Sequence, residues 1–149
     1  MIFGGVGIGR LFEIISGIHI RYRRLAEEKL RHHGITYPQM GVLLAVSKAA
    51  SAMSQTELAG TLETDTTTIT VICDSLEKKK LILRSPNPVD RRSKVISLTP
   101  AGNRTFAKAF SDMSVYMERL ESAIPPNILE AVIPVLEKIY LEVSHGTGA

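Results

Sequence analysis

The chain is 149 residues long, 44% hydrophobic and 22% charged, which suits one folded domain with an extra helical arm and excludes a disordered chain. Aromatic residues make up 5% and tryptophan is absent, which excludes a broad stacking platform for single-stranded nucleic acid; the single cysteine excludes an internal disulfide framework and a cysteine-based zinc site. The charge is uneven: Glu77 to Lys94 holds seven basic and two acidic residues, whereas Ser111 onward holds two basic and six acidic. A local positive field is what a polyphosphate backbone attracts.

The apolar N-terminal stretch is interrupted by Arg10 and Glu13 and carries no small-residue cleavage site, so neither a signal peptide nor a membrane span is expected and the location read is cytoplasmic. The glycines of Gly4 to Gly9 have the wrong spacing for a dinucleotide loop and read as an N-terminal arm. Ile8, Leu11, Phe12, Ile15, Ile18, Tyr22 and Leu25 recur at three- and four-residue steps, predicting a helix over 8–29 with one apolar stripe, closed at Gly34. Thr36 and Gln39 form a capping-box pattern with Pro38 in the first turn, opening a second helix to about Ala49. Met40, Val42, Leu43, Leu44 and Val46 make that helix apolar on nearly every side, so it is expected to be buried.

Ser54 and Glu57 repeat the capping box and start a short helix through Leu62, and Asp65 or Thr66 starts the next, to about Lys79. Two short helices so closely joined predict a helix-turn-helix. On the second, Ile69, Ile72, Cys73 and Leu76 share a face, leaving Thr66, Thr67, Thr70, Val71 and Asp74 outward. A threonine face suits the major groove, because hydroxyls bond base edges or phosphates and methyls touch thymine. Leu81 to Ser85 and Lys94 to Leu98 read as strands joined by a long tip with Pro86, Pro88 and the cations Arg91 and Arg92, a wing.

Thr99 and Pro100 restart a helix whose Phe106, Phe110, Met113, Met117, Leu120 and Ile124 form a short seam. After Pro125 and Pro126 a last helix carries Ile128, Leu129, Val132, Leu136, Ile139, Tyr140 and Val143 on one stripe, with a kink expected near Pro134. The fold class read is mainly α with a small β-hairpin wing: a winged helix-turn-helix over 35–99, flanked by dimerisation helices over 1–34 and 100–149. The terminal helices carry more apolar surface than the winged unit can cover, so a two-fold homodimer is expected, presenting two recognition helices about 34 Å apart.

The stretch LAGTLETDTTTITVICDSLEKKKLILRSPNPVDRRSKVISLTPAG, Leu58 to Gly102, resembles the MarR (multiple antibiotic resistance regulator) family of transcriptional regulators, most specifically in DRRSKVISLTPAG. That resemblance implies a homodimer that binds a pseudo-palindromic double-stranded operator, usually as a repressor released by a small phenolic or anionic effector or by an oxidant. Carried over by position, Thr66, Thr67, Thr68 and Thr70 match the recognition helix, Arg91, Arg92 and Lys94 match the wing, and Asp90 matches the acidic residue that orients the wing arginine. Val71 and Ser75 stand where the family often has arginine. Lys80 stands where it has glycine and is expected to take a positive φ. The reactive cysteine of redox-sensing members, near the start of the first helix, is absent.

Thr66, Thr67 and Thr70 are thus assigned to the groove, and Arg91 and Arg92 to the wing grip. Ser54, Gln55, Lys79, Arg84 and Lys94 are assigned to the backbone. The analogy places an effector cavity near His19, Tyr22, Arg23 and Tyr37. Cys73 reads as a small core residue, His32 and His33 as helix-end residues, and no metal, cofactor or catalytic constellation is expected. The rival classes are a ligand sensor with secondary DNA affinity and a winged helix used for protein contact, separated by salt-dependent binding to nonspecific duplex.

Overall fold

The computed structural model describes residues 7–88 and 93–145. Asp90, Arg91 and Arg92, assigned to the wing tip, lie outside the described residues, as do the first glycines of the N-terminal arm. The chain divides into two compact units, Met1–Met113 and Ser114–Ala149.

The first unit holds the winged helix. Helix α1 spans Ile8–Arg31 and α2 spans Tyr37–Lys48, with the Thr36 capping box formed in both directions. A two-residue strand β1, Met53–Ser54, leads into α3, Gln55–Thr61, which the reciprocal Ser54–Glu57 capping box opens. Helix α4 spans Thr66–Lys78, and Asp65 caps it by accepting the Thr68 backbone N–H. Strands β2, Ile82–Pro86, and β3, Lys94–Leu98, pair antiparallel with Arg84 opposite Ile96. The sheet order is β1-β3-β2, with Met53 opposite Ile96. Helix α5 spans Pro100–Glu121, and α6 spans Pro126–His145 and continues through Pro134.

The core of the winged unit gathers the buried faces of these elements. Val42 and Leu43 from α2, Leu58 from α3, Ile69, Cys73 and Leu76 from α4, and Ile82 and Ile96 from the wing are fully buried together. Leu30 from α1 and Ala109 and Met113 from α5 join the same cluster. Each such side chain contributes roughly 1.5–3 kcal/mol relative to exposure, so this cluster is what holds α4 in place.

Three helix ends close with the same turn, in which one residue takes the left-handed conformation and the next amide reaches back. These are Gly34 at φ 70, Glu63 at φ 50 and Lys80 at φ 58. At the last, Lys80 N–H donates to Glu77 O at 2.8 Å and Leu81 N–H to Leu76 O at 3.0 Å. Lys80 accepts a backbone cost of about 1–2 kcal/mol that glycine would avoid. Leu81 serves that turn, and its carbonyl accepts from Thr99 N–H at 3.1 Å, so the first wing strand begins at Ile82 and not at the expected Leu81. Strand β1 has no counterpart in the sequence reading, because two residues carry no alternation to detect.

The start of α5 is docked onto the wing root. The Thr99 hydroxyl donates to Lys80 O at 2.7 Å and accepts from Gly102 N–H at 2.9 Å. A Cβ added at Gly102 would stand 1.9 Å from Leu81 O, so only glycine allows this approach.

Candidate nucleic-acid interface

Helix α4 is divided lengthwise by its 3.6-residue period. Ile69, Cys73 and Leu76 are buried, with Ile72 half-buried beside them, and Thr66, Thr67, Thr68, Thr70, Val71 and Asp74 are exposed. The face expected to point outward does so. Its hydroxyls differ in availability: Thr68 Oγ1 donates to Asp65 Oδ2 at 2.7 Å, and Thr70 Oγ1 donates to Thr66 O at 2.8 Å while accepting from Gln55 Nε2 at 2.9 Å. Among the described residues the hydroxyls of Thr66 and Thr67 have no such partner and face solvent. Gln55 therefore braces α3 against the exposed face of α4, and Ser54 accepts the Glu57 N–H at 3.2 Å as the cap of α3.

The caps carry electrostatic consequences. Hydrogen bonds from the Thr68 side chain and backbone hold the Asp65 carboxyl below its ordinary value, and the Ser54 backbone and hydroxyl do the same for Glu57. Both stay ionised at neutral pH, where a negative charge at a helix N-terminus is favourable.

Arg84 is the largest departure from the sequence reading. Assigned to the DNA backbone, its side chain is only 11% exposed, and Nη1 lies 2.7 Å from Asp74 Oδ1 and 2.8 Å from Glu77 Oε2. Nη2 donates to Thr70 O at 3.4 Å. Burial opposes the charge, but the hydrogen bonds to Asp74 and Glu77 outweigh it and raise the guanidinium above its usual value. A cation so neutralised by two carboxylates has little field left for a phosphate, so Arg84 clamps β2 to α4 and does not reach outward. The signal was present in the sequence: Asp74 and Glu77, three apart, share a helix face beside the strand that carries the arginine.

Lys79 is likewise engaged within the protein. Its Nζ donates to Gly34 O at 2.6 Å and to Gln39 Oε1 at 2.9 Å, and Gln39 Nε2 donates to Ser75 Oγ at 2.9 Å. Gln39 is buried, and this network ties the end of α1 and the start of α2 to the last turn of α4. Sequence reasoning missed it, as it missed the 2.7 Å pair of His33 Nε2 and Asp112 Oδ2 between the end of α1 and α5. Both join residues far apart in the chain, for which periodicity carries no signal. Lys78, Lys79, Lys80 and Lys94 are exposed, and of these four Lys79 has its Nζ held on Gly34 O and Gln39 Oε1.

The four residues assigned to an effector separate into two pairs. Tyr22 and Tyr37 meet edge to face with ring centroids 6.0 Å apart, and burial followed by the Tyr37 charge raises the Tyr22 phenol above its usual value. His19 and Arg23 line an open depression along α1 with Ile20, Arg24 and Glu27, which takes in neither tyrosine. Cys73 is fully buried, and burial pushes its thiol up to about 11, as befits a core residue. No group of three or more metal-ligating side chains is placed to hold an ion among the described residues, and none of the described helices is long and apolar enough to cross a membrane.

Helix-turn-helix, three-stranded sheet and β2–β3 hairpin together define a winged-helix protein. Residues 35–94 match the MarR family. The HTH-type transcriptional repressor MdtR of Bacillus subtilis (strain 168) is 33% identical over 92 residues, covering 62% of this chain and 59% of that protein. The chain spans about three-fifths of the length of the curated relatives it matches first. Among solved structures, the S. aureus MepR–DNA complex is similar with a TM-score of 0.81 and 25% identity, covering 93% of this chain and 99% of that one. CouR from Rhodococcus jostii RHA1 bound to p-coumaroyl-CoA is similar with a TM-score of 0.75 and 26% identity, covering 89% and 90%. MdtR and MhqR of Bacillus subtilis (strain 168) are a transcriptional repressor and a transcriptional regulator by name.

Proposed function

We propose that this chain is a homodimeric, sequence-specific double-stranded DNA-binding regulator, a repressor released by a small-molecule effector. The observation that carries the reading is the outward face of α4: Thr66, Thr67, Thr70 and Val71 stand exposed on a helix braced by Gln55 and clamped by Arg84 to β2, whose wing partner β3 carries Lys94. Thr66 and Thr67 read base edges; Arg91 and Arg92 grip from the wing with Asp90 orienting them. Ser54, Lys78, Lys80 and Lys94 face the phosphates. Gln55, Lys79 and Arg84 act as positioning residues, because their polar atoms already hold protein partners. The MepR–DNA complex supports the DNA partner, and the MdtR name supports repression.

Residues 35–99 form the reading unit, and 1–34 and 100–149 supply dimerisation helices. Ile8, Ile18, Val132 and Tyr140 are among large apolar side chains left exposed on α1 and α6, and a second copy covers each face. The effector is a phenolic or anionic molecule near His19, Tyr22, Arg23 and Tyr37, a reading supported by the ligand in the CouR structure. It releases DNA only through unequal affinity for the DNA-ready and splayed dimers.

Selection of bound sequences from a random duplex pool tests the proposal. The expected product is a pseudo-palindrome with half-sites about one helical turn apart. Enrichment of a single unrepeated motif overturns the dimeric reading. No salt-dependent capture of any duplex turns the winged helix into a protein-contact module.

A further inference from the structure

The outward face of α4 has an unusual chemistry for a base-reading helix. Between Thr66 and Glu77 it contains no arginine, lysine, asparagine or glutamine, the side chains that grip guanine or adenine in a bidentate manner. Lys78 arrives three turns after the helix start, whereas the N-terminal turns of such a helix are the ones that meet base edges. Asp74, an acceptor suited to cytosine, is held by Arg84 at 2.7 Å. The nearby carboxamide of Gln55 is held on Thr70 at 2.9 Å. The hydroxyl protons of Thr68 and Thr70 are donated within the protein. Apolar surface remains: Val71 is 65% exposed at the second helical turn, four residues from Thr67 and next to Thr70.

An exposed valine between threonines, on a helix whose only side-chain hydroxyls without a partner among the described residues are those of Thr66 and Thr67, has one complementary feature in a major groove, the C5-methyl group of thymine. We propose that Val71, with the methyl groups of Thr67 and Thr70, is the specificity-determining contact of this chain and recognises thymine methyls in the half-site. This inference rests on the DNA-reading function proposed above and names the base chemistry that function selects. Val71 contributes discrimination by contact area, and the neighbouring hydroxyls of Thr66 and Thr67 set the register. The half-site is therefore rich in A·T pairs at the positions under α4 and lacks a fixed guanine there.

The test uses the full-length protein and the best duplex from the selection, compared with the same duplex carrying deoxyuridine in place of thymine, one position at a time. Deoxyuridine removes the C5-methyl and leaves pairing intact. That methyl lies in the major groove, so a wing residue in the minor groove does not sense its removal. Loss of one contacted methyl weakens wild-type binding by about fourfold, the worth of one buried methylene-sized group. The Val71→Ala protein, whose exposed helical site accepts alanine without loss of fold, binds the thymine duplex more weakly and is indifferent to the same replacement. Uracil replacement that is silent at every position, or that costs both proteins equally, overturns the inference while leaving DNA reading intact. A selected half-site with an invariant guanine under α4 overturns it too. Capture of no duplex at all defeats the DNA-reading function first and this inference with it.

Discussion

The two compact units of this chain make opposite use of the same sequence pattern. In the first, the apolar faces of α2, α3 and α4 close on one another and on the wing, leaving Leu43, Leu58, Ile69, Leu76 and Ile96 fully buried. In the second, none of the described residues from Ser114 onward is buried, and Val115, Ile128, Val132, Ile133, Tyr140 and Leu141 face solvent in the single chain. Periodicity reports that a helix has an apolar face, not what covers it. The contrast is between α2, α3 and α4, whose apolar faces are covered within one chain, and α6, whose apolar side chains are left exposed, as are Ile8, Ile18 and Ile20 on α1.

The strongest way to break this contrast is on α6. Replacing Val132 and Leu136 together by Glu is expected to leave the winged unit folded, abolish dimers in size-exclusion chromatography, and weaken operator binding by about 10²-fold or more, because two linked half-sites become independent. Retention of the dimer by that variant would return α6 to the role of a solvated arm. Next in size is Gly102→Ala. The new Cβ meets the Leu81 carbonyl at 1.9 Å, so urea unfolding is expected to show a loss of about 3 kcal/mol or more despite alanine's better helix propensity. An unchanged midpoint would mean that the wing root and α5 are not locked together.

The clamp on β2 comes third. Arg84→Met removes the guanidinium and leaves Asp74 and Glu77 facing each other; both are about half exposed, so solvent screens them and the loss is about 1–2 kcal/mol. Stability equal to wild type in a calorimetric scan would argue that Arg84 is free to contact phosphate after all. The smallest effects concern protons. The raised Cys73 value means the folded state favours the neutral thiol, a contribution present below the ordinary thiol value and lost as pH rises through about 11. Alkylation at pH near 8 should be silent in the native protein and prompt in denaturant. Asp65 and Glu57 have the opposite sign: their lowered values stabilise the caps above the ordinary carboxylate range, and the contribution is lost as pH falls through their folded values.

Much of the winged unit was legible in the chain because its signals are local. The Thr36–Gln39 and Ser54–Glu57 boxes are four-residue patterns, and both form as read. The positive φ at Lys80 was expected from the resemblance, which places a glycine there, and not from a local signal. Glu63 adopts the same conformation without glycine or any other local marker, and it was not anticipated. The candidate interface was legible only as far as faces go. The threonines fall outward as the period requires, yet their hydroxyls, and the charges of Arg84 and Lys79, are allotted to partners by contacts across the fold. A basic residue near a recognition helix is thus either a phosphate ligand or a brace, and the partner decides which.

Sedimentation equilibrium of the full chain across a wide concentration range tests the central claim most directly. The account predicts a mass about twice the 16.3 kDa of one chain, with dissociation only at high dilution. A single-chain mass at every concentration would contradict it, because the uncovered faces of the terminal helices would then be stable in water without a second copy.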